Sequence, residues 1–244
     1  MYALVTGTGF YRLDALEGAH TEEVSTPYGV VPVARGKWRG GPEVLFLARH
    51  GASHSVAPHL INYRANMWAL HELGATKVIA TAVSGAIADG LGLGDFVLVD
   101  DFIDFTTGRP STFFDESGKV THTDMTDPYD SELRQRVADA ASSADIPLHL
   151  GGTYCATNGP RFETKAEIAM MRLVGGTLVG MTGCPEVVLA NELGLKYVTV
   201  GVVSNAAAGL GERDFTVEEI MAVLASTVAP FERLLDALFQ GADQ

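Results

Sequence analysis

The sequence predicts an α/β sandwich built around a mixed, mostly parallel sheet. Short apolar segments alternate with helical segments along the whole chain, as expected of parallel strands joined by crossover helices. The 244 residues, 47% of them hydrophobic, suffice to build a full core. No repeat, low-complexity tract or linker rich in Pro and Ser interrupts the sequence. One domain, covering residues 1–244, is therefore expected.

The first half of the chain predicts strands around one helix, followed by a long loop. Apolar residues recur at helical spacing from Ala65 to Leu73, and Gly74 closes that helix. Residues 104–130 are rich in Thr, Asp, Pro, Ser and Gly and predict a loop long enough to suggest a function. The segments that predict strands are Tyr2 to Thr6, Val30 to Ala34, Val44 to Ala48, Val78 to Val83 and Phe96 to Val99.

The second half of the chain alternates helices and strands. The last helix is amphipathic, and Thr216 with Glu219 has the spacing of a capping box at its start. Pro185 stands where a proline is favoured, at the first position of a helix. The predicted helices are Ser131 to Ser143, Thr164 to Arg172, Pro185 to Leu193 and Thr216 to Phe239, and the predicted strands are Gly152 to Ala156, Thr177 to Met181 and Tyr197 to Val203.

Charge and cysteine content exclude several classes of partner. The chain has 17 Lys and Arg against 30 Asp and Glu, a net charge of −13, which argues against nucleic acid and anionic membranes. The two cysteines, Cys155 and Cys184, stand in apolar segments and predict buried free thiols in a reducing compartment. Since no apolar segment has transmembrane length and no secretory leader is evident, a cytoplasmic protein is expected.

Two polar motifs directly follow predicted strands. Gly7-Thr8-Gly9 closes the first strand, where backbone N–H groups and the Thr8 hydroxyl can bind an oxyanion; a plain turn is the alternative. Arg49 and His50 follow the strand that ends at Ala48, and an arginine at the carboxyl end of a strand suits a phosphate. A surface ion pair and a structural histidine are the alternative for these two residues.

Three further segments place polar or aromatic residues at predicted strand and helix ends. Phe162 can stack on a flat ring and Glu163 can accept from a ring N–H, although Glu is also common at helix N-termini. Thr182 is either a hydroxyl donor to phosphate or a helix cap. Asn205 either contacts a carbonyl and an adjacent nitrogen or occupies a turn. Together with Thr8, Arg49 and His50, these residues predict one composite crevice.

Two other kinds of site are not supported by the sequence. A dinucleotide-dependent reductase is disfavoured, because Arg12 stands where the fingerprint needs its third glycine and no clear ribose-binding acid follows. His50 and His54 have the spacing of a zinc motif, but Gly51 replaces its glutamate and disfavours the helix that the motif requires. No metal site is predicted.

Four segments resemble one family closely: LFLARHGASHSVAPHLINYRANMWAL, FIDFTTGRPSTFFD, NGPRFETKAEI and GMTGCPEVVLANELGL. They are similar to the trimeric purine nucleoside phosphorylases, particularly the branch that acts on methylthioadenosine and methylthioinosine. The resemblance covers nearly the whole chain. It implies an α/β domain in a homotrimer, no metal and no organic cofactor. It also implies reversible phosphorolysis, in which inorganic phosphate is the co-substrate and a purine nucleoside yields the free base and a sugar 1-phosphate.

The resemblance also implies roles for individual residues. Phosphate would be bound by Thr8, Arg49, His50, Thr182 and the turn formed by Ala82 and Val83. The nucleoside would contact Phe162, Met181, Asn205, Ala207 and Val217, with Asn205 and Glu163 as the catalytic residues at the base. The turn departs from the family pattern, because Ala82 has no hydroxyl where a polar side chain is usual. A catalytically weak nucleoside-binding protein therefore stays open as an alternative.

Three residues predict the choice of substrate. Asn205 can donate to O6 and accept from a protonated N7, and Glu163 can accept from N1–H, which favours a 6-oxopurine over adenine. Val217 stands where phosphorylases of inosine and guanosine place a histidine that meets the 5′-hydroxyl. An apolar 5′ group is therefore expected, unless the apolar face of that helix is simply core. The predicted substrate is S-methyl-5′-thioinosine, in purine salvage, with inosine or guanosine and methylthioadenosine as alternatives.

Overall fold

A computed structural model describes residues 1–10, 14–51, 54–211 and 216–241 of the chain. The strands are β1 (Tyr2–Thr6), β2 (Leu16–Thr26), β3 (Gly29–Trp38), β4 (Glu43–Ala48), β5 (Lys77–Ala86), β6 (Phe96–Leu98), β7 (Asp101–Asp104), β8 (Leu148–Leu150), β9 (Thr153–Ala156), β10 (Gly176–Gly180) and β11 (Lys196–Ala206). The helices are α1 (Tyr63–Glu72), α2 (Ser131–Ser143), α3 (Lys165–Leu173), α4 (Glu186–Glu192) and α5 (Val217–Gln240), and a 3₁₀ turn spans Pro58–Leu60.

The described strands form one mixed sheet of 11 strands. Its main path runs β2-β3-β4-β1-β5-β10-β9-β7, and β11 pairs with both β5 and β6, which in turn pairs with β8. Parallel pairing joins β1 to β4 and β5, β5 to β11, β9 to β7 and β10, and β6 to β8. Antiparallel pairs occur at β2-β3, β3-β4, β5-β10 and β6-β11. The prediction of a mixed, mostly parallel sheet is confirmed.

Helices cover both faces of the sheet, as the alternation of side chains along β1 shows. Ala3 and Val5 pack in one cluster with the buried faces of α1 and α4. Tyr2 and Leu4 point to the opposite face and pack in a second cluster with α2 and α5. Two separate apolar layers therefore enclose the central strands, which confirms the predicted α/β sandwich.

The strand β2 is the largest feature that the sequence interpretation missed. Most of its residues are exposed, and it carries His20, Glu22 and Glu23 instead of an apolar segment. It exists because it pairs along almost its whole length with β3, which extends well beyond the predicted Val30 to Ala34. The short strands β7 and β8 were missed for the same reason, since they are largely exposed. Arg12, which precedes β2, lies outside the described residues.

The helix ends largely follow the predicted capping chemistry. Thr216 accepts from the backbone N–H of Glu219, whose carboxylate accepts in return from the N–H of Thr216, so the capping box is confirmed. Thr164 caps α3 in the same way. Helix α4 differs slightly from the prediction, because Pro185 is its N-cap and the first helical residue is Glu186. The predicted loop 104–130 holds from residue 105 onward, since residues 105–130 contain neither strand nor helix and Asp104 ends β7.

Candidate active site

A cavity of about 550 Å³ lies where the carboxyl ends of β1, β4, β5 and β11 converge. This is the edge at which open α/β sheets usually bind ligands, and the volume is typical of a small-molecule site. Most of the predicted site residues line it: Thr8, Arg49, His50, Val83, Phe162, Glu163, Met181, Thr182, Asn205, Ala207 and Val217. Ala82 does not, because it is buried in the sheet behind the wall. The residues of the predicted composite crevice therefore all line one cavity, and Ala82, which only the resemblance implied, does not.

One end of the cavity is built on a buried ion pair. Arg49 Nε and Nη2 donate to the two carboxylate oxygens of Glu186, each over 2.7 Å, and both side chains are almost fully buried. Arg49 Nη1 donates to the carbonyl of Thr81 over 3.0 Å, and the Tyr197 hydroxyl donates to Glu186 over 2.7 Å. The Arg49 guanidinium is therefore fixed by two parallel hydrogen bonds to Glu186 and one to the backbone of Thr81.

The Arg49 guanidinium remains charged and keeps donors for a ligand. Burial disfavours the charged form, but the attraction and hydrogen bonds of Glu186 outweigh it and raise the pKa of Arg49. Three of its five N–H groups make the bonds just named, which leaves two without a partner among the described residues. The alternative of a surface ion pair is wrong in its location, since the pair is buried and the arginine lines the cavity.

His50 presents an unprotonated nitrogen to the same end of the cavity. Its Nδ1 lies 2.8 Å from the carbonyl of Val56, so Nδ1 carries the proton and donates. Burial, helped by the nearby charge of Arg49, lowers the pKa of His50 to about 4. The Nε2 atom is therefore an acceptor at neutral pH, which suits a protonated oxygen of a phosphate ion.

Hydroxyl and backbone groups complete this end of the cavity. Thr8 follows β1 in the turn Gly7-Thr8-Gly9, where Gly9 has a positive φ of 85°. Thr182 is nearly buried after β10, and its N–H donates to the Tyr154 hydroxyl over 3.4 Å. A cation, two threonine hydroxyls and an imidazole acceptor thus face one space, an arrangement that can bind a tetrahedral oxyanion.

The other end of the cavity combines amide, carboxylate and aromatic groups. Asn205 lies at the end of β11, where its amide donates to the carbonyl of Ala206 and its oxygen accepts from Ser204. The Glu163 carboxylate accepts from the Thr157 hydroxyl over 2.7 Å. Asn205 is thus oriented by two local contacts and Glu163 by one, and both side chains keep capacity for further hydrogen bonds. Phe162 stands beside them with 62% of its surface exposed.

The start of α5 lines the mouth of the cavity. Val217, Ile220 and Met221 all face it, as their helical spacing predicts. Val217 is 67% exposed, so this part of the apolar face is not core; the core positions of α5 begin at Leu224. The alternative that these residues are simply core is therefore wrong for Val217.

Sequence reasoning missed two residues that organise the site. The sequence interpretation gives Glu186 no role, although it is the one charged side chain in the buried face of α4. That isolation inside an apolar segment was a usable signal. Arg109 lies in the long loop and donates to backbone carbonyls beside the cavity. Nothing in its polar, proline-containing neighbourhood marks it, because its partners are distant in sequence.

Comparison with known proteins identifies the family. A model of the phosphorylase superfamily matches residues 1–240. A "6-oxopurine nucleoside phosphorylase" of Pyrococcus furiosus is 47% identical over 228 residues, which cover 91% of this chain and 85% of that protein. A "Probable S-methyl-5'-thioinosine phosphorylase" of Xanthomonas campestris is 44% identical over 243 residues, covering 98% and 97%. The chain belongs to the phosphorylase superfamily.

Solved structures agree with this assignment. Methylthioadenosine phosphorylase from Schistosoma mansoni in complex with adenine matches with a TM-score of 0.94 and 29% identity, over 100% of this chain and 92% of that one. A methylthioadenosine phosphorylase from an antarctic soil metagenomic library matches with a TM-score of 0.91 and 30% identity, over 99% and 86%. The predicted fold and the stated resemblance are therefore confirmed.

Neither a cluster of metal ligands nor a membrane-spanning helix occurs in the ranges of the chain that the structure describes. No group of three or more His, Cys, Asp or Glu in those ranges is arranged to bind a metal ion. Among the same residues, no helix has the length and apolar character needed to cross a bilayer.

Proposed function

We propose that the protein cleaves S-methyl-5′-thioinosine with inorganic phosphate, giving hypoxanthine and 5-methylthioribose 1-phosphate. One observation carries the proposal: a single cavity joins an oxyanion-binding end at Arg49 and His50 to an end with Glu163 and Asn205, with apolar side chains at its mouth. Phosphate would occupy the oxyanion end, the purine base would lie at Glu163 and Asn205, and the 5′ group of the sugar would lie at the apolar mouth. Relatives named for this activity and for 6-oxopurine nucleosides support the same class of reaction.

The polar groups at the base end support a 6-oxopurine. Hypoxanthine offers O6 as an acceptor and N1–H as a donor, whereas adenine offers the reverse. The Glu163 carboxylate keeps acceptor capacity beyond its contact with Thr157, and Asn205 keeps one N–H and one lone pair beyond its local bonds. Bound adenine would cover these two partly buried groups and leave them unpaired, and such mismatches discriminate strongly.

The mouth of the cavity supports an apolar 5′ substituent. Val217, Ile220 and Met221 offer no hydrogen bond, so a 5′-hydroxyl lying against them would lose its water partners. A methylthio group would instead gain roughly 25 cal/mol for each Å² of apolar surface that it buries. The S-methyl form is therefore preferred here over inosine.

The mechanism that these residues support is an electrostatic one. Phosphate oxygen forms a bond to C1′ as the bond from C1′ to N9 of the purine breaks, and the bonding electrons leave with the base. The charged Arg49 holds the anion below the sugar, where it stabilises the positive charge that develops on the ribosyl group. The departing purine takes up a proton from water at N7, and Asn205 stabilises this form by accepting from N7–H and donating to O6. Placement and charge supply the catalysis, and no covalent intermediate is needed.

A general 6-oxopurine nucleoside phosphorylase is the second candidate. The relative from Pyrococcus furiosus carries that name and is 47% identical to this chain. The two candidates share the base and phosphate contacts and differ only at the 5′ position. The alternative of a catalytically weak nucleoside-binding protein rests on the missing hydroxyl at Ala82, which is buried and does not line the cavity.

The remaining properties follow from the same proposal. Phosphate serves as co-substrate, and neither a metal nor an organic cofactor takes part. The protein would act in the cytoplasm as a homotrimer. Phe162, Val217 and Met221 support an assembly of this kind, since a large apolar surface at the mouth of the cavity is exposed in the single chain.

The test is a release assay with four nucleosides: methylthioinosine, inosine, methylthioadenosine and adenosine, each with and without phosphate. We expect base release only with phosphate. We also expect kcat/KM for methylthioinosine to be at least about tenfold above inosine and about 100-fold above methylthioadenosine. Equal cleavage of methylthioadenosine would contradict the base assignment. Calorimetric binding of nucleoside and phosphate without release would instead establish a binding protein.

A further inference from the structure

Arg109 connects the long loop to the wall of the cavity through backbone carbonyls. Its Nη1 donates to the carbonyl of Cys184 and to the Tyr63 hydroxyl. Its Nη2 donates to the carbonyls of Thr157, Asn158 and Met181 over 2.8 to 3.1 Å. One guanidinium therefore joins two chain segments that are separated by more than 20 residues in sequence, without itself lining the cavity.

No carboxylate pairs with this cation in the described structure. All five of its bonds go to neutral oxygens, and its buried Nε has no hydrogen-bond partner among the described residues. A partly buried arginine without a counter-ion is costly unless its bonds are many and well placed. The arrangement indicates that the role of the guanidinium is to bind these backbone carbonyls.

Both segments that Arg109 joins carry groups of the cavity. The carbonyls of Met181 and Cys184 flank Thr182 at the oxyanion end. The carbonyls of Thr157 and Asn158 lie just before Phe162 and Glu163 at the base end. Backbone pairing already joins the two segments where β9 and β10 end, since the Thr157 N–H donates to the carbonyl of Gly180 over 2.9 Å. Arg109 extends this connection beyond the sheet, to Asn158 on one side and to Met181 and Cys184 on the other.

The segments also touch at a point where spacing is critical. Gly159 has a positive φ of 61°, and a Cβ there would overlap the Met181 side chain. Arg109 holds the residues on both sides of this contact, Asn158 and Met181. Loss of the guanidinium would leave this close approach supported only by the backbone pairing that ends at Thr157 and Gly180.

The loop that supplies Arg109 is tied down on both sides. Asn158 Nδ2 donates to the Thr107 hydroxyl over 3.0 Å. Glu192 accepts from the Thr112 hydroxyl over 2.7 Å and from the N–H of Phe113 over 2.6 Å. These contacts hold the backbone around Arg109, so the guanidinium is delivered to its carbonyls by a fixed segment.

We propose that Arg109 is a positioning residue that holds segment 181–184, which carries Thr182 at the oxyanion end, against the base-binding segment 157–163 beyond the point where their backbone pairing ends. The effects on kcat and KM described next rest on the proposed function. Because Arg49 and His50 are held by their own partners, the KM for phosphate depends little on Arg109. The kcat for the nucleoside depends on it strongly, since both reactants must be aligned for attack at C1′.

The experiment compares Arg109→Ala, Arg109→Lys and the control Arg64→Ala with the wild-type protein. Arg64 in α1 pairs over 2.6 Å with Asp115, which lies in the same loop as Arg109. Loss of Arg64 therefore loosens the loop without releasing the carbonyls that Arg109 binds. We expect Arg109→Ala to lower kcat about 10- to 100-fold and to change the KM for phosphate less than about threefold. Arg109→Lys keeps the charge but not the fork, and kcat stays low.

Two further readouts separate positioning from a general loss of fold. Added guanidinium ion should restore part of the kcat of Arg109→Ala and none in Arg64→Ala. Amide hydrogen exchange should rise within 157–163 and 181–184 in Arg109→Ala while the central strands keep their protection. If Arg109→Ala keeps wild-type kcat, or if guanidinium fails to rescue it and exchange in both segments is unchanged, the proposal is overturned. Should the wild type cleave no nucleoside, the proposed function fails and hydrogen exchange alone decides the role of Arg109.

Discussion

The two ends of the cavity differ in how far their side chains are buried and bonded to other residues of the chain. At the oxyanion end, Arg49 and Glu186 are buried and bonded to each other, and Tyr197 supports the carboxylate. At the nucleoside end, Phe162 and Val217 are more than half exposed. The first end has a fixed geometry before any ligand arrives, whereas the second depends on what covers it.

This difference explains why the two ends serve different purposes. A dianion or monoanion of phosphate needs a charge that does not move, and a buried fork of hydrogen bonds provides it. A nucleoside must enter and leave, so its side of the cavity has to be open. Mutations at the oxyanion end should therefore change both the free energy of unfolding and the KM for phosphate. Mutations at the nucleoside end should change only which nucleoside is preferred.

Glu186→Gln should produce the largest effect, because it leaves Arg49 charged and buried without a counter-ion. Removing one partner of a buried ion pair costs about 3–5 kcal/mol of the free energy of unfolding. Urea denaturation of the variant and the wild type measures the difference. Glu116→Gln is the control, since its pair with Lys119 is exposed and contributes little. A loss no greater than that of the control would contradict the role given to this pair.

Arg49→Lys tests whether the same cation also binds the anion. A lysine can neutralise Glu186 but cannot at the same time present the remaining N–H groups of the fork. The KM for phosphate should rise about 10- to 150-fold, the equivalent of about 1.5–3 kcal/mol for a charged hydrogen bond, while the KM for the nucleoside changes little. Arg161→Lys is the matched control, because that exposed arginine pairs with Glu167. An unchanged phosphate dependence would remove Arg49 from the phosphate site.

His50 should make the oxyanion end sensitive to acid. Its pKa falls from 6.5 to about 4 on folding, so the unfolded chain binds more protons between these values. Stability should therefore fall as the pH drops from about 6.5 to about 4, by about 1–3 kcal/mol from this residue. Denaturation of the wild type and His50→Asn over that range gives the contribution as their difference. Parallel pH curves for the two proteins would show that His50 does not titrate as described.

Residues at strand ends could be predicted from the sequence, and those acting between distant segments could not. Thr8, Arg49 and Asn205 lie at the carboxyl ends of β1, β4 and β11, and parallel pairing brings such positions to one edge. Thr182 follows β10, whose antiparallel pairing with the end of β5 brings it to the same cavity. The predicted phosphate-binding turn at Ala82 and Val83 is wrong, because both residues lie inside β5 and the Ala82 side chain is buried in the core.

Tertiary pairing explains what the sequence interpretation missed. Strand β2 is polar and exposed, and it owes its existence to the hydrogen bonds that β3 offers. Glu186 and Arg109 act on partners that lie 137 and up to 75 residues away. Contacts at that separation leave no local pattern, so only the folded structure reveals them.

Val217→His gives the smallest expected change and tests the proposed substrate most directly. We measure kcat/KM for methylthioinosine and for inosine in the wild type, in Val217→His and in the control Val120→His, whose valine is exposed and outside the cavity. The wild type should favour methylthioinosine by about tenfold or more. The imidazole at position 217 should shift the ratio toward inosine by about tenfold, because it can bind the 5′-hydroxyl. Equal use of both nucleosides by the wild type, or an unchanged ratio in Val217→His, would contradict the proposed substrate.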